Sequence, residues 1–576
     1  MRFSVKATSI AVAIFLSACG GSDDSPAPSP TPTPEPNPNV PVISSSVQEA
    51  ATLIAKDPEI QKIVEHWKTE DDARARFDTH LELTRIASPS RFEYRRVEEI
   101  SKRLVNEWGF SNAEVVTQAD GYLPGAGLQT VDGLPVYNVC SVIKGTYSST
   151  SGAQSFNGQY PKVLIEGHID TVNPEEMPPD SAPYMPVKLQ PIAEPIVSSP
   201  AELAALKDEV NFDSQGRIVR DANYERAYRR FANAEAATKG GADRLYVPGY
   251  IDAMGNTTMV FQIAKMLKKH NIKPVYDMWF CGTAGEEGKG NLAGMKQLYG
   301  YSQDTGKGNN ALNFVTNFSI DGGSGTINFI GSYRFEMKFK APANPTSGAS
   351  AVTAAALAGA KIADILTPWD KDNKALKTTY TIGTASCEAP DAAGVTPSCT
   401  LQVDMRSPRL EPLNDIRAQI EPLFAAGVEA ENERASVVAG SPDAVSMELV
   451  WFGDRPPHER TNLSDVSIQA AWQAAETVGV DKRAELSTGA SSLNDNVPAA
   501  IGVPTINLNA FSTATSGGTH AFYEWGIPGS SETEALRMYR IMMAGLIASG
   551  YTTSDGKTVA PAAAPIGART TTEMYK

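Results

Sequence analysis

Apolar and polar positions change their spacing several times along the chain. From about residue 47 to 108, apolar residues recur at helical intervals with few breakers, which predicts helix. Four apolar runs follow, at 137–143, 162–167, 276–282 and 311–320, each the length of a buried strand. Helical spacing lies between some of them, at 255–270 and 291–299. Strands alternating with helices predict an α/β layer with a largely parallel sheet. A long polar insert, 173–244, separates the second run from the third; it is Pro-rich at first and helix-prone at 202–210 and 221–237. Insertions at strand ends often shape a binding site. After residue 328 the pattern changes. Residues 333–340 alternate like a half-buried strand, 349–365 form an Ala-rich helix, 399–407 a second strand and 413–429 a second helix. That succession predicts a small α+β lid domain, 329–450, inserted between two parts of a catalytic domain, 46–328 and 451–576. No internal repeat is present.

Length and composition narrow the picture. A chain of 576 residues exceeds what one hydrophobic core usually organises, and 41% hydrophobic residues is ordinary for a folded protein. A formal net charge of −15 argues against nucleic acid as a partner, because phosphate binding wants clustered Lys and Arg. At the N-terminus, Arg2 and Lys6 precede an apolar run that is too short to span a membrane, so 1–18 reads as a signal peptide. The run ends Leu16-Ser17-Ala18-Cys19, which looks like a bacterial lipobox and makes Cys19 the expected lipidation site. Residues 19–45 then form a Pro-rich tether. Gly20 after the Cys points to the outer membrane, by resemblance to bacterial lipoproteins. The expectation is an exported lipoprotein that meets the membrane only through its anchor, at its periplasmic face. Cys387 and Cys399 flank a turn-rich stretch, and an exported protein can bridge them. Cys140 and Cys281 lie in apolar runs and are expected as buried free thiols.

The chemistry concentrates in a few places. His168 closes the run Val163-Leu164-Ile165-Glu166-Gly167-His168, with Asp170 two residues on and so on the same side of a strand. A carboxylate beside a metal-binding His sets its tautomer. Glu286 and Glu287 end another run in a Gly-rich turn, where one can ligate metal while the other handles a proton. Asp252 precedes a helix, Asp321 follows a strand, and His520 lies in Gly517-Gly518-Thr519-His520. Each alone reads equally as a cap or turn residue. Together, two His and three carboxylates at strand ends suit a pair of zinc ions per subunit.

These residues, in this order, resemble the dizinc metallopeptidases of the peptidase T, carboxypeptidase G and aminoacylase type. The resemblance implies His168, Asp252, Glu287, Asp321 and His520 as metal ligands. It further implies Asp170 as the residue orienting His168, and Glu286 as the general base. It implies hydrolysis of an amide bond in small peptides by an exopeptidase of di- or tripeptidase type. An N-acyl amino acid deacylase uses the same machinery, and an inactive tethered peptide-binding protein is a third reading. Arg406, at a lid strand end, matches a common lid Arg that holds a substrate carboxylate; a surface ion pair is the alternative. The lid of such proteins often mediates a homodimer. Relatives commonly carry a His after the first lid strand, where this chain reads Ala341-Pro342-Ala343-Asn344, so Asn344 is the candidate replacement.

Overall fold

The computed structural model describes residues 40–117, 130–131, 134–147, 160–174, 185–233, 241–302, 307–323, 325–342, 348–365, 378–388, 397–460, 463–481 and 487–564. The expected signal peptide, Cys19, most of the tether and Asn344 lie outside these.

Three apolar runs become the centre of an eight-stranded sheet. Lys162–His168 has Asp277–Thr283 on one side and Phe314–Ile320 on the other, both parallel to it. All three are buried along their length, as expected of strands covered on both faces. Val163, Ile165, Met278 and Phe280 point into one core with the helices Gly255–Lys269 and Ser531–Ser549. Leu164, Trp279 and Phe314 point into another with Ala293–Leu298. Towards its edges the sheet is mixed: Val139–Ile143 and Val115–Thr117 run antiparallel, as does Thr326–Phe329 against Thr505–Leu508. Parallel pairing also continues from Phe314–Ile320 to Thr505–Leu508, and Thr326–Phe329 pairs in parallel with Ser487–Ser491.

The helical stretch near the N-terminus resolves into Ser45–Lys56, Pro58–Trp67, Glu70–Thr84 and Tyr94–Asn106. Asp57 and Thr69 cap the second and third through backbone N–H groups. The long insert is less helical than its composition predicts. It contributes Val187–Pro191, Glu209–Val210 and Asp243–Tyr246 to a five-stranded sheet completed by Trp525–Pro528 and Thr513–Gly517. Its helices are Pro200–Ala205 and Ala222–Ala232, so the predicted helix at 202–210 ends early and turns into strand.

The lid is a four-stranded antiparallel sheet, ordered Thr379–Glu388, Ser398–Ser407, Gly331–Lys340 and Ser446–Arg455. Phe335, Met337, Phe339, Leu401, Val403 and Met405 alternate onto one face and meet Ala351–Ala363 and Leu410–Arg434. Two of these strands were not read from the sequence. Thr379–Glu388 is a mostly exposed edge strand whose apolar alternation is confined to Tyr380 and Ile382, which pack on the lid core. Ser446–Arg455 runs past the expected boundary at 450, so the lid sheet continues to Arg455.

Cys387 and Cys399 are directly opposite across two lid strands and are disulfide-bonded. The expectation of free thiols at Cys140 and Cys281 is corrected. These two are cross-strand neighbours in the antiparallel pair Val139–Ile143 and Asp277–Thr283, and they form a disulfide. Sequence separation hid the pairing that strand register creates.

Candidate metal centre

Parallel packing brings three strand ends to one edge of the sheet. His168 is the last residue of the central strand and lies beside Thr283 in the ladder. Asp321 follows Ile320 on the neighbouring strand, while Glu286 and Glu287 follow Thr283 by one turn. Clefts at the carboxyl ends of such strands are the usual ligand position in α/β sheets.

Two groups of donors share one carboxylate. His168 Nε2 lies 3.0 Å from Asp252 Oδ1 and 3.4 Å from Asp321 Oδ1. His520 Nε2 lies 3.0 Å from Asp252 Oδ2 and 3.2 Å from Glu287 Oε1. Each imidazole nitrogen thus faces two oxygens, and Asp252 offers one oxygen to each side. Ligands bound at ~2 Å to a common zinc sit roughly 3 Å from each other, so these separations suit one ion per group with Asp252 between them. His168, Asp252 and Glu287 also offer ligand atoms all within 4.8 Å of one another.

Asp170 organises two of these elements at once. His168 Nδ1 donates to the Asp170 carbonyl at 3.1 Å, with Asp170 Oδ1 at 3.4 Å. That leaves the Nε2 lone pair for a metal. Asp170 Oδ1 accepts the Glu286 N–H at 3.0 Å and Oδ2 accepts the Glu287 N–H at 2.9 Å. Ser90 Oγ donates to Asp170 and to the Glu287 carbonyl. Glu93, buried, accepts the Gly285 N–H at 3.0 Å. Gly285 has φ +66°, and a Cβ on Gly290 would lie 2.4 Å from its Cα, so the turn needs both glycines.

Glu524 secures the other side. Its carboxylate accepts N–H groups from Gly249 at 2.9 Å, Ile251 at 2.8 Å and Asp252 at 3.2 Å. It follows His520 by four residues, so one segment supplies a ligand and clamps the loop of another. The peptide Asp252–Ala253 is cis.

The electrostatics call for cations. Burial pushes Glu286 well above the usual carboxylate range, and Arg455 only partly opposes this. Burial and then Asp252 raise Glu287 to about 7. Asp321 is raised, chiefly by burial. Burial disfavours the His168 imidazolium, yet Asp321, Asp170 and Asp252 hold its pKa well above the ordinary value. Hydrogen bonds to Asp252 and Glu287 carry His520 up to about 11. Without metal the imidazoles are held protonated by a crowd of carboxylates; divalent cations would replace those protons.

The five ligands and Glu286 suggested by sequence therefore come together. Asp252, Glu287, Asp321, His520 and Glu286 line one cavity of about 800 Å³ with Arg334, Arg406 and Arg455 from the lid, while the His168 side chain is fully buried. Glu286 Oε1 accepts from Arg455 Nη1 at 3.0 Å, and Arg455 Nη2 donates to the Glu286 carbonyl. Arg406 lines the cavity and is paired with Asp404 at 2.8 Å. Sequence reasoning did not single out Ser90, Glu93, Arg334, Arg455 or Glu524. The Arg455-Pro456-Pro457 stretch was the available signal for Arg455; the others sit in ordinary helical or strand context.

The fold recurs in solved dipeptidases. Human carnosine dipeptidase 1 matches with TM-score 0.50 and 11% identity, over 84% of this chain and 98% of that one. The di-peptidase Dug1p from Saccharomyces cerevisiae matches with TM-score 0.50 and 11% identity, over 85% and 98%. A tripeptidase from Staphylococcus aureus gives TM-score 0.47 and 16% identity, over 82% and 97%. No protein-family model and no curated protein sequence matches the chain. At 11% identity the likeness to the two dipeptidases establishes a shared fold.

Proposed function

We propose that the chain is a dinuclear zinc amidohydrolase acting on small peptides, with Glu286 as general base. The observation that carries this is the pair of histidines, each facing two carboxylate oxygens and joined through Asp252, with Glu286 beside them. The named activities of the two dipeptidases support the substrate class. His168, Asp252 and Asp321 would hold one ion, and His520, Asp252 and Glu287 the other. Bound zinc would supply a lowered water pKa and polarisation of the scissile carbonyl. Glu286 takes the water proton at its carboxylate and delivers it to the departing amine nitrogen. Asp170 keeps the imidazole of His168 oriented and the Glu286–Glu287 turn in place. The 800 Å³ cavity suits a short peptide rather than a folded protein.

This enzyme would be exported and tethered by an acylated Cys19 at the outer membrane. No helix among the described residues is long and apolar enough to cross a bilayer.

The test is Glu286→Gln. It should keep about two zincs per chain and lose roughly 10²–10⁴-fold in kcat on di- and tripeptides. A variant that retains near-normal turnover removes Glu286 from the chemistry.

A further inference from the structure

The backbone of Glu286 is fixed by the catalytic layer, but its carboxylate is steered from the lid. Asp170 accepts the Glu286 N–H at 3.0 Å, and that bond leaves the direction of the side chain open. The terminal torsion of a Glu has broad wells, so the carboxylate plane is set by what it touches. Arg455 Nη1 donates to Glu286 Oε1 at 3.0 Å, and Arg455 Nη2 donates to the Glu286 carbonyl. One planar fork thus grips the side chain and the backbone of the same residue. Among the described residues Glu286 Oε2 accepts no hydrogen bond, which leaves that oxygen for the reacting water.

The fork is itself held in place. Its Nη1 also donates to Ser492 Oγ at 3.1 Å, and Ser492 lines the cavity. Arg455 is 3% and Glu286 4% exposed, so their charge-assisted bond is made away from bulk water. The buried Arg455 Nε finds no acceptor among the described residues. Aiming the fork at Glu286 therefore leaves one donor unmet.

The root of the lid does not need this guanidinium. Arg455 ends the lid strand Ser446–Arg455 opposite Ser332, which has Arg406 on its other side. The chain then crosses back to the catalytic layer. Asn496 Nδ2 donates to the carbonyls of Ile330 and Pro456, both at 2.8 Å, and ties the segment entering the lid to the one leaving it. Phe329 and His458 exchange two backbone bonds, at 2.8 and 2.9 Å. Asn291 Oδ1 accepts the Asp454 N–H at 2.9 Å, and Lys296 Nζ donates to the Asp454 carbonyl at 2.5 Å. A Cβ on Gly331 would lie 2.5 Å from Pro457 N, so the two crossings pack backbone against backbone. These contacts fasten the crossing, and the Arg455 fork is spent on Glu286.

We infer that Arg455 is a positioning residue for the reaction: from the lid, it turns the Glu286 carboxylate so that Oε2 faces the reacting water. This deepens the reading of Glu286 as general base and rests on it. The test uses the zinc-loaded full chain and a dipeptide that it hydrolyses. Arg455→Ala should lower kcat by about 10–100-fold, since a misplacement of about 1 Å can cost roughly 10²-fold. KM should stay within about threefold, because the lost interaction acts on the base and not on the bound substrate. Zinc content and circular dichroism should not change. Arg455→Lys keeps the charge, but one ammonium cannot hold carboxylate and carbonyl together, so it should recover only part of the loss. Guanidinium ion at millimolar concentration should restore part of kcat to Arg455→Ala. In a Glu286→Gln background, Arg455→Ala should lower the residual rate by less than about twofold, because the group it steers is gone.

A raised KM with kcat intact makes Arg455 a substrate contact and overturns the inference. So does full activity in Arg455→Lys, or turnover within about threefold of normal in folded, zinc-loaded Arg455→Ala. If Arg455→Ala does not fold, Arg455→Lys decides: a partial loss of kcat at constant KM supports the inference and full activity overturns it. The two readings fail separately. An inert Glu286→Gln beside fully active Arg455 variants sinks only the role of Arg455. An active Glu286→Gln sinks the base, and the steering of it falls with the base.

Discussion

Replacing Asp170 with Asn tests whether one buried carboxylate holds both halves of the metal centre. Asp170 is fully buried, and its oxygens accept only donors: the Glu286 and Glu287 N–H groups, the Ser90 hydroxyl and, at longer range, His168 Nδ1. Burial alone would raise its pKa, but the bonds from His168, Ser90 and Glu287 hold it below the ordinary carboxylate value. Asn keeps one oxygen and turns the other acceptor into a donor. Either amide orientation sets Nδ2 against a backbone N–H, whereas the Ser90 hydroxyl can rotate to accept. One orphaned N–H costs ~1–3 kcal/mol in the folded state. Loss of the carboxylate behind a metal-binding His costs roughly 10–100-fold in metal affinity. The freed turn carries both Glu286 and Glu287, so kcat at saturating zinc should also fall, by about tenfold or more. Three measurements check this: urea denaturation of the metal-free protein, zinc affinity by chelator competition, and peptide turnover with zinc in excess. If Asp170→Asn keeps zinc affinity within about twofold and turnover within about threefold, Asp170 does not organise the site and the reasoning fails.

Two further outcomes follow from features outside the cleft. His80 is 1% exposed, stacks on Tyr250 and donates to the Tyr250 carbonyl at 2.9 Å. Burial pushes its pKa down to about 3, so between pH ~6.5 and 3 the unfolded chain takes up a proton that the folded chain refuses. This contribution to stability is full above the unfolded pKa and is lost as pH falls, by up to ~1.4 kcal/mol per pH unit; His80→Gln should flatten that part of the curve in urea titrations at pH 7, 6, 5 and 4. The two disulfides differ in the loops they close, with sequence separations of 141 for Cys140–Cys281 and 12 for Cys387–Cys399. Loop-closure entropy predicts losses of about 5 and 3 kcal/mol for the respective double Cys→Ala variants, and equal urea midpoint shifts would contradict it.

The legible part of the site was the part set by local rules. His168 with Asp170, and Glu286 with Glu287, each end an apolar strand run, and strand ends in a parallel layer converge on one edge. Asp252, Asp321 and His520 were readable only because their order resembles a family; spacings of dozens to hundreds of residues carry no geometry. The lid was half legible. Strands whose inner face packs on helices alternate in sequence, as Gly331–Lys340 does, but the edge strand Thr379–Glu388 packs too little apolar surface to show its period.

By itself, the sequence determined the α/β class and the insertion of a lid, and it nominated the candidate ligands and a candidate base. It did so because periodicity and side-chain chemistry are local properties. Tertiary structure alone decided which carboxylate is shared, that Glu524 and Asp170 clamp the ligand loops, that Cys140 meets Cys281, and that Arg334, Arg406 and Arg455 form one wall. Those are facts of register between strands far apart in the chain, and register depends on how whole layers pack rather than on any window of residues.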